Sequence, residues 1–339
     1  MSTNKTYSFN SLATLVTPVR LVLGWQFFSA FLRRVVNDPE KLNQFSSAYM
    51  GHAFNHFLPH ALFIKPMIEY FITHQQLLYI FLITFTIIEG LVGIALLLGL
   101  FTRLSSIGAA LLSFGILLGA GWLGSTCVDE WQIGIAGIAS GLVVFTLGAG
   151  YLSLDNIIFK SNSPSFIKYL TSNDINWNDS KIKLWSYILT IITMFITLYS
   201  YQEFHGGLYG KLFNLSKKPK IEILDTNLKT DGTLIMTLYR IDGPDTYGAF
   251  ITKVELLDKN SNSLESFYPN KTNILENDIQ NFYLNKVTLN DYSLIIPLGA
   301  KSKIRFIPNE KLNLQKGSYK VNLSDVSGLK WSKEIIFNE

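Results

Sequence analysis

The sequence predicts a helical membrane bundle of five spans followed by a soluble all-β sandwich, and three observations carry this reading. Charge is unevenly distributed: residues 1–205 hold 21 of the Asp, Glu, Lys and Arg residues, and residues 206–339 hold 33. In the first part, apolar runs long enough to cross a bilayer follow one another. In the second, short β-type segments alternate with Gly-, Asn- and Asp-bearing turns. The whole-chain figures of 48% hydrophobic and 16% charged therefore average two chemically different halves. They exclude a disordered or collagen-like chain.

The first span covers Leu12–Leu32, carries Arg20 and stops at Arg33-Arg34. The second lies within Leu77–Phe101, where Glu89 is the only charge; the third, in Leu104–Val128, and the fourth, in Trp131–Leu154, have none. Each of these three runs exceeds the roughly 20 apolar residues needed to cross about 30 Å of hydrocarbon. The fifth span, Leu184–Gln202, is preceded by Lys181 and Lys183. The opening MSTNKTYSFN lacks the pattern of a cleavable signal peptide, so the first span reads as a retained anchor. Gly115-x-x-x-Gly119 and Gly137-x-x-x-Gly141 predict close helix approach inside the bundle. The string GAGWLG at Gly119–Gly124 has the spacing of a dinucleotide loop. It lies in an apolar helix with no preceding strand, which excludes that function.

After Glu203, glycines and Pro219 lead into seven β-type segments: Lys220–Leu224, Thr233–Arg240, Ala249–Leu257, Tyr292–Pro297, Lys303–Pro308, Tyr319–Leu323 and Lys330–Phe337. Turn signals stand between them at Asp231-Gly232, Asp242-Gly243-Pro244 and Lys316-Gly317, which favours a sandwich. The expected domains are a four-helix region at 1–160, a linker with the fifth span at 161–204, and the β domain at 205–339.

The loop between spans three and four carries only Asp129 and Glu130, whereas the loop between spans four and five carries four lysines. That asymmetry predicts a multi-pass cell-membrane protein with a cytoplasmic N-terminus and an extracytoplasmic β domain. Sequons at Asn214, Asn270 and Asn322 are compatible with it.

A single cysteine excludes an internal disulfide, a CxxC redox pair and a cysteine-clustered metal site. A net charge of +4 gives no reason to expect a nucleic-acid partner. Under the predicted orientation, Arg33, Arg34, His52, His56, His60 and Lys65 gather in the first outer loop, a basic setting for a small anion. The three histidines fall at i, i+4 and i+8, but no carboxylate shares their run, and no metal site is expected. Arg20 and Glu89, expensive inside the membrane, lie at similar depth when counted from the inner ends of their spans. They are expected to pair, fixing helix register or serving proton delivery. Cys127 is read either as a small buried hydrophobe or as a thiolate favoured by neighbouring cations and opposed by Asp129 and Glu130.

Three strings carry a family resemblance. PVRLVLGWQFF (Pro18–Phe28), followed by Arg33-Arg34, resembles the opening of the DoxX-like four-helix membrane family. GSTCVDEW (Gly124–Trp131) resembles its DoxD branch. HGGLYGKLFNLSKKPKIEI (His205–Ile223), after the fifth span, is similar to the start of DoxA. The resemblance implies a DoxD–DoxA fusion acting as a thiosulfate:quinone oxidoreductase, in which two thiosulfates become tetrathionate and a membrane quinone is reduced. Quinone is then the electron-accepting substrate, with no metal, haem or flavin. For that reaction the residues themselves suggest Cys127 as a covalent relay and Arg33, Arg34, His52, His56 and Lys65 as sulfonate-binding groups. Asp129, Glu130 and Glu89 would carry protons, with Arg20 beside Glu89. Trp25, Trp122 and Trp131 would flank the quinone ring or anchor the helices at the interface. Thiosulfate, quinone and the bilayer are the expected partners, with homo-oligomerisation left open. The competing readings are a sulfur-oxyanion transporter and an accessory subunit of a membrane redox complex.

Overall fold

Helix and strand follow the two halves of the chain. The computed structural model describes residues 9–121, 129–159, 164–171, 179–212, 218–244, 248–271 and 274–337. It divides into a helical unit, Met1–Met50, Ala61–Phe63 and Gln76–Phe213, and a β unit, Gly51–His60, Ile64–Gln75 and Asn214–Glu339.

The helices in chain order are α1 (Phe9–Leu15), α2 (Thr17–Leu32), α3 (His52–Phe57), α4 (Lys65–Thr73), α5 (Gln75–Leu98), α6 (Thr102–Ala120), α7 (Asp129–Leu147), α8 (Leu154–Ile158), α9 (Ser165–Leu170) and α10 (Asp179–His205). Among the described residues, four are long and apolar enough to cross a membrane: Gln75–Leu98, Thr102–Ala120, Glu130–Leu147 and Lys183–His205. The predicted first span differs. It is divided at Val16 into α1 and α2, because Pro18 at the start of α2 has no N–H to continue the ladder. A π-helical turn, Arg33–Asn37, ends it. The third span, Thr102–Ala120, lies in its predicted run, whose remaining part from residue 122 to 128 is outside the described residues.

Glycine sets the approach of these helices. On α5 the buried stripe Leu78, Leu82, Thr86, Glu89, Gly90, Gly93 and Leu96 follows helical periodicity. Gly24 of α2 sits against α5 so closely that a Cβ would lie 2.9 Å from the Leu97 nitrogen, and a Cβ on Gly93 would fall on the Phe28 backbone. On α7, Gly141 comes so close to α6 that a Cβ would lie 2.8 Å from the Ser106 carbonyl oxygen, while Gly137 sits over Ser113. Of the two predicted glycine pairs, Gly137 and Gly141 thus pack helix on helix. Gly115 faces open space.

The β unit contains β1 (Lys220–Leu228), β2 (Leu234–Asp242), β3 (Ala249–Leu257), β4 (Ser263–Phe267), β5 (Ile279–Asn281), β6 (Thr288–Leu289), β7 (Leu294–Ile296), β8 (Lys301–Phe306), β9 (Gly317–Asp325) and β10 (Lys330–Phe337). Every pairing is antiparallel. One sheet runs β1-β2-β8-β5; the other runs β10-β9-β3-β7-β6, with β4 also on β3. All seven predicted segments fall in strands; β4, β5 and β6 are additional. Alternation decides the faces. On β8, Ser302, Ile304 and Phe306 are buried while Lys303 and Arg305 point outward. Leu238, Ile304 and Phe306 from one sheet meet Val254, Leu256, Val321 and Leu323 from the other in one apolar core. At the β1–β2 hairpin Gly232 takes a left-handed φ of +86°, and the Asp231 carboxylate accepts from the Thr233 N–H.

Candidate functional site

The polar groups inside the helical unit fall into two arrangements. In the first, Arg20, 2% exposed, does not meet Glu89. Its Nη1 donates to the carbonyl of Leu96 at 2.5 Å and to that of Leu97 at 3.2 Å, and its Nη2 to that of Leu152 at 2.7 Å. The carbonyls of Leu96 and Leu97 belong to the C-terminal turn of α5, the end of a helix suited to a cation, and that of Leu152 to the segment between α7 and α8. At the same turn the Asp155 carboxylate accepts from the N–H groups of Phe101 and Thr102, closing the start of α6. Arg20 and Asp155 therefore fasten the α5–α6 turn from its two electrical ends.

Glu89 pairs instead with Arg34, whose Nη1 donates to Oε2; the Glu89 side chain is 2% exposed. The Arg34 guanidinium also lies 5.9 Å from the Phe85 ring centroid, one helical turn before Glu89. The expected Arg20–Glu89 pair fails for a reason of register. Gly24 opposes Leu97, Gly93 opposes Phe28 and Gly90 opposes Phe31. Continuing that antiparallel register puts Glu89 opposite the end of α2, about 18 Å along the axis from Arg20. The π-helical turn then presents Arg34 to Glu89 and leaves Arg33 exposed.

The second arrangement joins the start of α7 to the end of α10. The Trp131 indole N–H donates to Ser200 Oγ at 2.9 Å. Its ring meets Tyr201 edge-on at 5.4 Å and His205 edge-on at 5.8 Å, and Tyr201 and His205 are 5.5 Å apart. His205 is 9% exposed, and its buried Nε2 has no hydrogen-bond partner among the described residues. Glu130, half-buried, stands next to Trp131. Trp25 is 56% exposed and tilts against Phe28, a position that fits an interfacial anchor. Cys127 and Trp122 lie outside the described residues, as does the side chain of Asp129.

In the β unit, the segments around α3 and α4 are fastened to the strands and their loops. His52 Nδ1 lies 2.7 Å from Asn285 Oδ1, so that nitrogen donates. The fully buried Asn55 bonds the Gly299 carbonyl and the Asn285 N–H. His60 Nε2 is 2.7 Å from Asp242 Oδ1, and Lys65 Nζ donates to the Pro59 carbonyl at 2.8 Å. His56 is half-buried at the end of α3. Among the predicted anion-binding residues, Arg34, His52 and Lys65 thus have structural bonds. Nearby, Tyr283 Oη donates to Glu69 Oε1 at 2.5 Å and meets Tyr239 edge-on at 6.1 Å. Burial, then Glu69, pushes both phenols well above the ordinary tyrosine range. Lys301 Nζ lies 5.6 Å from the Tyr283 ring centroid. Among the described residues no cluster of His, Cys, Asp or Glu has the makings of a metal site.

Sequence reasoning missed Tyr201 and His205. The available signal was a titratable residue ending a span, one turn after an aromatic residue, on the same helix face.

Comparison with known proteins follows the same division. Residues 15–185 match the family described as TQO small subunit DoxD, and residues 204–334 match TQO small subunit DoxA. Among solved structures, similarity is slight. The archaellum periplasmic stator protein complex FlaF and FlaG from Sulfolobus acidocaldarius is 13% identical, covering 38% of this chain and 97% of that one, with a TM-score of 0.24. FlaG from the same organism is 11% identical over 35% of this chain and 100% of that one, with a TM-score of 0.22. The Iho670 flagellar-like filament is 11% identical over 47% and 98%, with a TM-score of 0.23. With DoxD across its helical half and DoxA following in order, the chain belongs to the DoxD family as a DoxD–DoxA fusion, within the thiosulfate:quinone oxidoreductase group.

Proposed function

We propose that this chain is a membrane enzyme that oxidises thiosulfate to tetrathionate and reduces a membrane quinone. The carrying observation is that families described as two TQO small subunits match one chain in order, over residues 15–185 and 204–334. Two thiosulfates yield one tetrathionate and two electrons; the quinone takes those electrons with two protons to become quinol. No metal, haem or flavin enters this scheme.

In the proposed mechanism the Cys127 thiolate and the outer sulfur of one thiosulfate form an S–S bond while two electrons pass to quinone. A second thiosulfate then attacks the sulfur next to the sulfonate. The new S–S bond completes tetrathionate, the bond to Cys127 breaks, and the thiolate returns. Arg33, Arg34, His52, His56 and Lys65 are the candidates for holding sulfonates, with Arg33 favoured by its exposure. Asp129, Glu130 and Glu89 are the candidates for supplying protons.

The reading places the N-terminus in the cytoplasm and the β unit outside the cell membrane. One fold observation supports a common side for all of the β unit: among the described residues the candidate spans between its segment ending at Gln75 and its segment beginning at Asn214 number four, which is even.

The test is purified chain in detergent with thiosulfate and decylubiquinone, following quinone absorbance and tetrathionate. One tetrathionate should appear per quinone reduced, and Cys127→Ser should bring the rate to background. Full activity in Cys127→Ser would remove the relay. A second reading is favoured by the family descriptions themselves, which name small subunits. If the chain alone is inactive and a further subunit restores turnover, it is an accessory component.

A further inference from the structure

We propose that the Trp131–Tyr201–His205 cluster is the headgroup site for the membrane quinone, with the isoprenoid tail lying along the seam between α7 and α10. This rests on the quinone-reducing reading above, and it assigns that substrate to a particular helix pair. Three observations of different kinds converge there.

The first is a buried ring nitrogen lacking a hydrogen-bond partner. His205 is 9% exposed, and its Nε2 finds no hydrogen-bond partner among the described residues. Leaving such a nitrogen unsatisfied costs about 1–3 kcal/mol, so its persistence points to a ligand that completes it. A quinone carbonyl is a neutral acceptor that suits a neutral imidazole N–H. After reduction, the quinol hydroxyl donates to the same imidazole in its other tautomer.

The second is the wall around that nitrogen. Trp131, Tyr201 and His205 stand 5.4–5.8 Å apart. Trp131 is held in place by its bond to Ser200. Flat, electron-poor quinone rings stack against such faces. Charge argues against a phospholipid headgroup, because the sequence neighbours of this cluster are Glu130 and Glu203 rather than lysine or arginine.

The third is a groove on the same two helices. A cavity of about 440 Å³ is lined by Leu142, Val143 and Leu147 of α7 and by Leu189, Thr193 and Met194 of α10. It begins about 12 Å along α7 from Trp131 and about 16 Å along α10 from His205, a span suited to a tail leaving a headgroup at the helix ends. Apart from a few Ser and Thr hydroxyls its lining is apolar, and its size lies in the usual range for small-molecule sites. The unpartnered imidazole, the aromatic wall and the tail groove lie in order along one seam.

The test uses the full chain in lipid nanodiscs, with decylubiquinone and the corresponding tail-less quinone as probes. His205→Leu should raise the Kd and KM for decylubiquinone at least about tenfold, with the thiosulfate KM unchanged. His205→Gln, which keeps an N–H donor, should recover most of that loss; a purely structural histidine would not show this split. Thr193→Trp, which fills the groove, should weaken decylubiquinone more than the tail-less quinone, by about fivefold or more. If His205→Leu binds both probes as the wild type does, the site is wrong and quinone reduction is left standing. If the wild-type chain binds neither probe, the quinone-reducing reading falls, and this site with it.

Discussion

The two units of this protein exclude empty space in opposite ways. In the helical unit, α2 meets α5 and α6 meets α7 through glycine, with backbone against backbone, so the tight places have no side chain to yield. In the β unit the sheets are separated by branched and aromatic side chains, with Leu256, Val321 and Leu323 fully buried. Lipid offers no hydrophobic gain for bringing helices together, so contact area must come from close approach. Water offers that gain to the sandwich, whose stability grows with apolar volume. The bundle is therefore sensitive to added atoms and the sandwich to removed ones.

Substitutions probe that contrast. Leu256→Ala should have the largest effect, destabilising the β unit by about 2–5 kcal/mol, since it leaves a cavity between two sheets. Hydrogen exchange across β3 and β9 reads this locally, and unchanged protection would contradict the proposed core. In the bundle the sign of the change reverses. Gly93→Ala adds a methyl onto the Phe28 backbone and should cost about 1–3 kcal/mol in detergent-induced unfolding. Gly115→Ala, facing open space, should be neutral or stabilising by up to about 1 kcal/mol. Equal effects at the two glycines would break the comparison.

A similarly small effect at neutral pH concerns the buried phenols. Tyr283→Phe should cost about 1 kcal/mol, because Glu69 is exposed and regains water as a partner. The pH dependence is more telling. Tyr239 and Tyr283 have raised pKa values in the fold, so their contribution is complete below the ordinary tyrosine value of about 10. It is lost as pH rises above that value towards the higher folded ones. Near-ultraviolet titration should show two phenols ionising late and together with loss of the β unit, and Tyr283→Phe should flatten that alkaline decline.

Much of this architecture was legible because each solvent imposes its own pattern. Bilayer spans cannot carry scattered charge, so Leu77–Phe101 announced α5 with one carboxylate inside it. Half-buried strands alternate, so β8 and β10 were readable. The strands β5 and β6, three and two residues long, are too short for alternation to register. Arg20 was read against the wrong partner because depth counted from span ends ignores helix register, which Gly24, Gly90 and Gly93 set. His205 was overlooked because its meaning depends on Trp131, on another helix. The bonds of His52 and Asn55 to Asn285 had no local signature, since only the folded chain brings these residues together.

Those last bonds bear on how the protein is made. His52 and Asn285 are 233 residues apart, and the four candidate spans among the described residues are synthesised between them. Residues 51–60 and 64–75 therefore emerge early, and the bonds of His52 and Asn55 to Asn285 form only after the chain beyond β5 has been made. Four candidate spans among the described residues are made before the β unit can close. Such delayed pairing lengthens the exposure of unfinished surface to proteases and chaperones. It also means that a fragment beginning at Asn214 lacks a piece of its own fold, so the β unit cannot be obtained whole by cutting the chain after its last span.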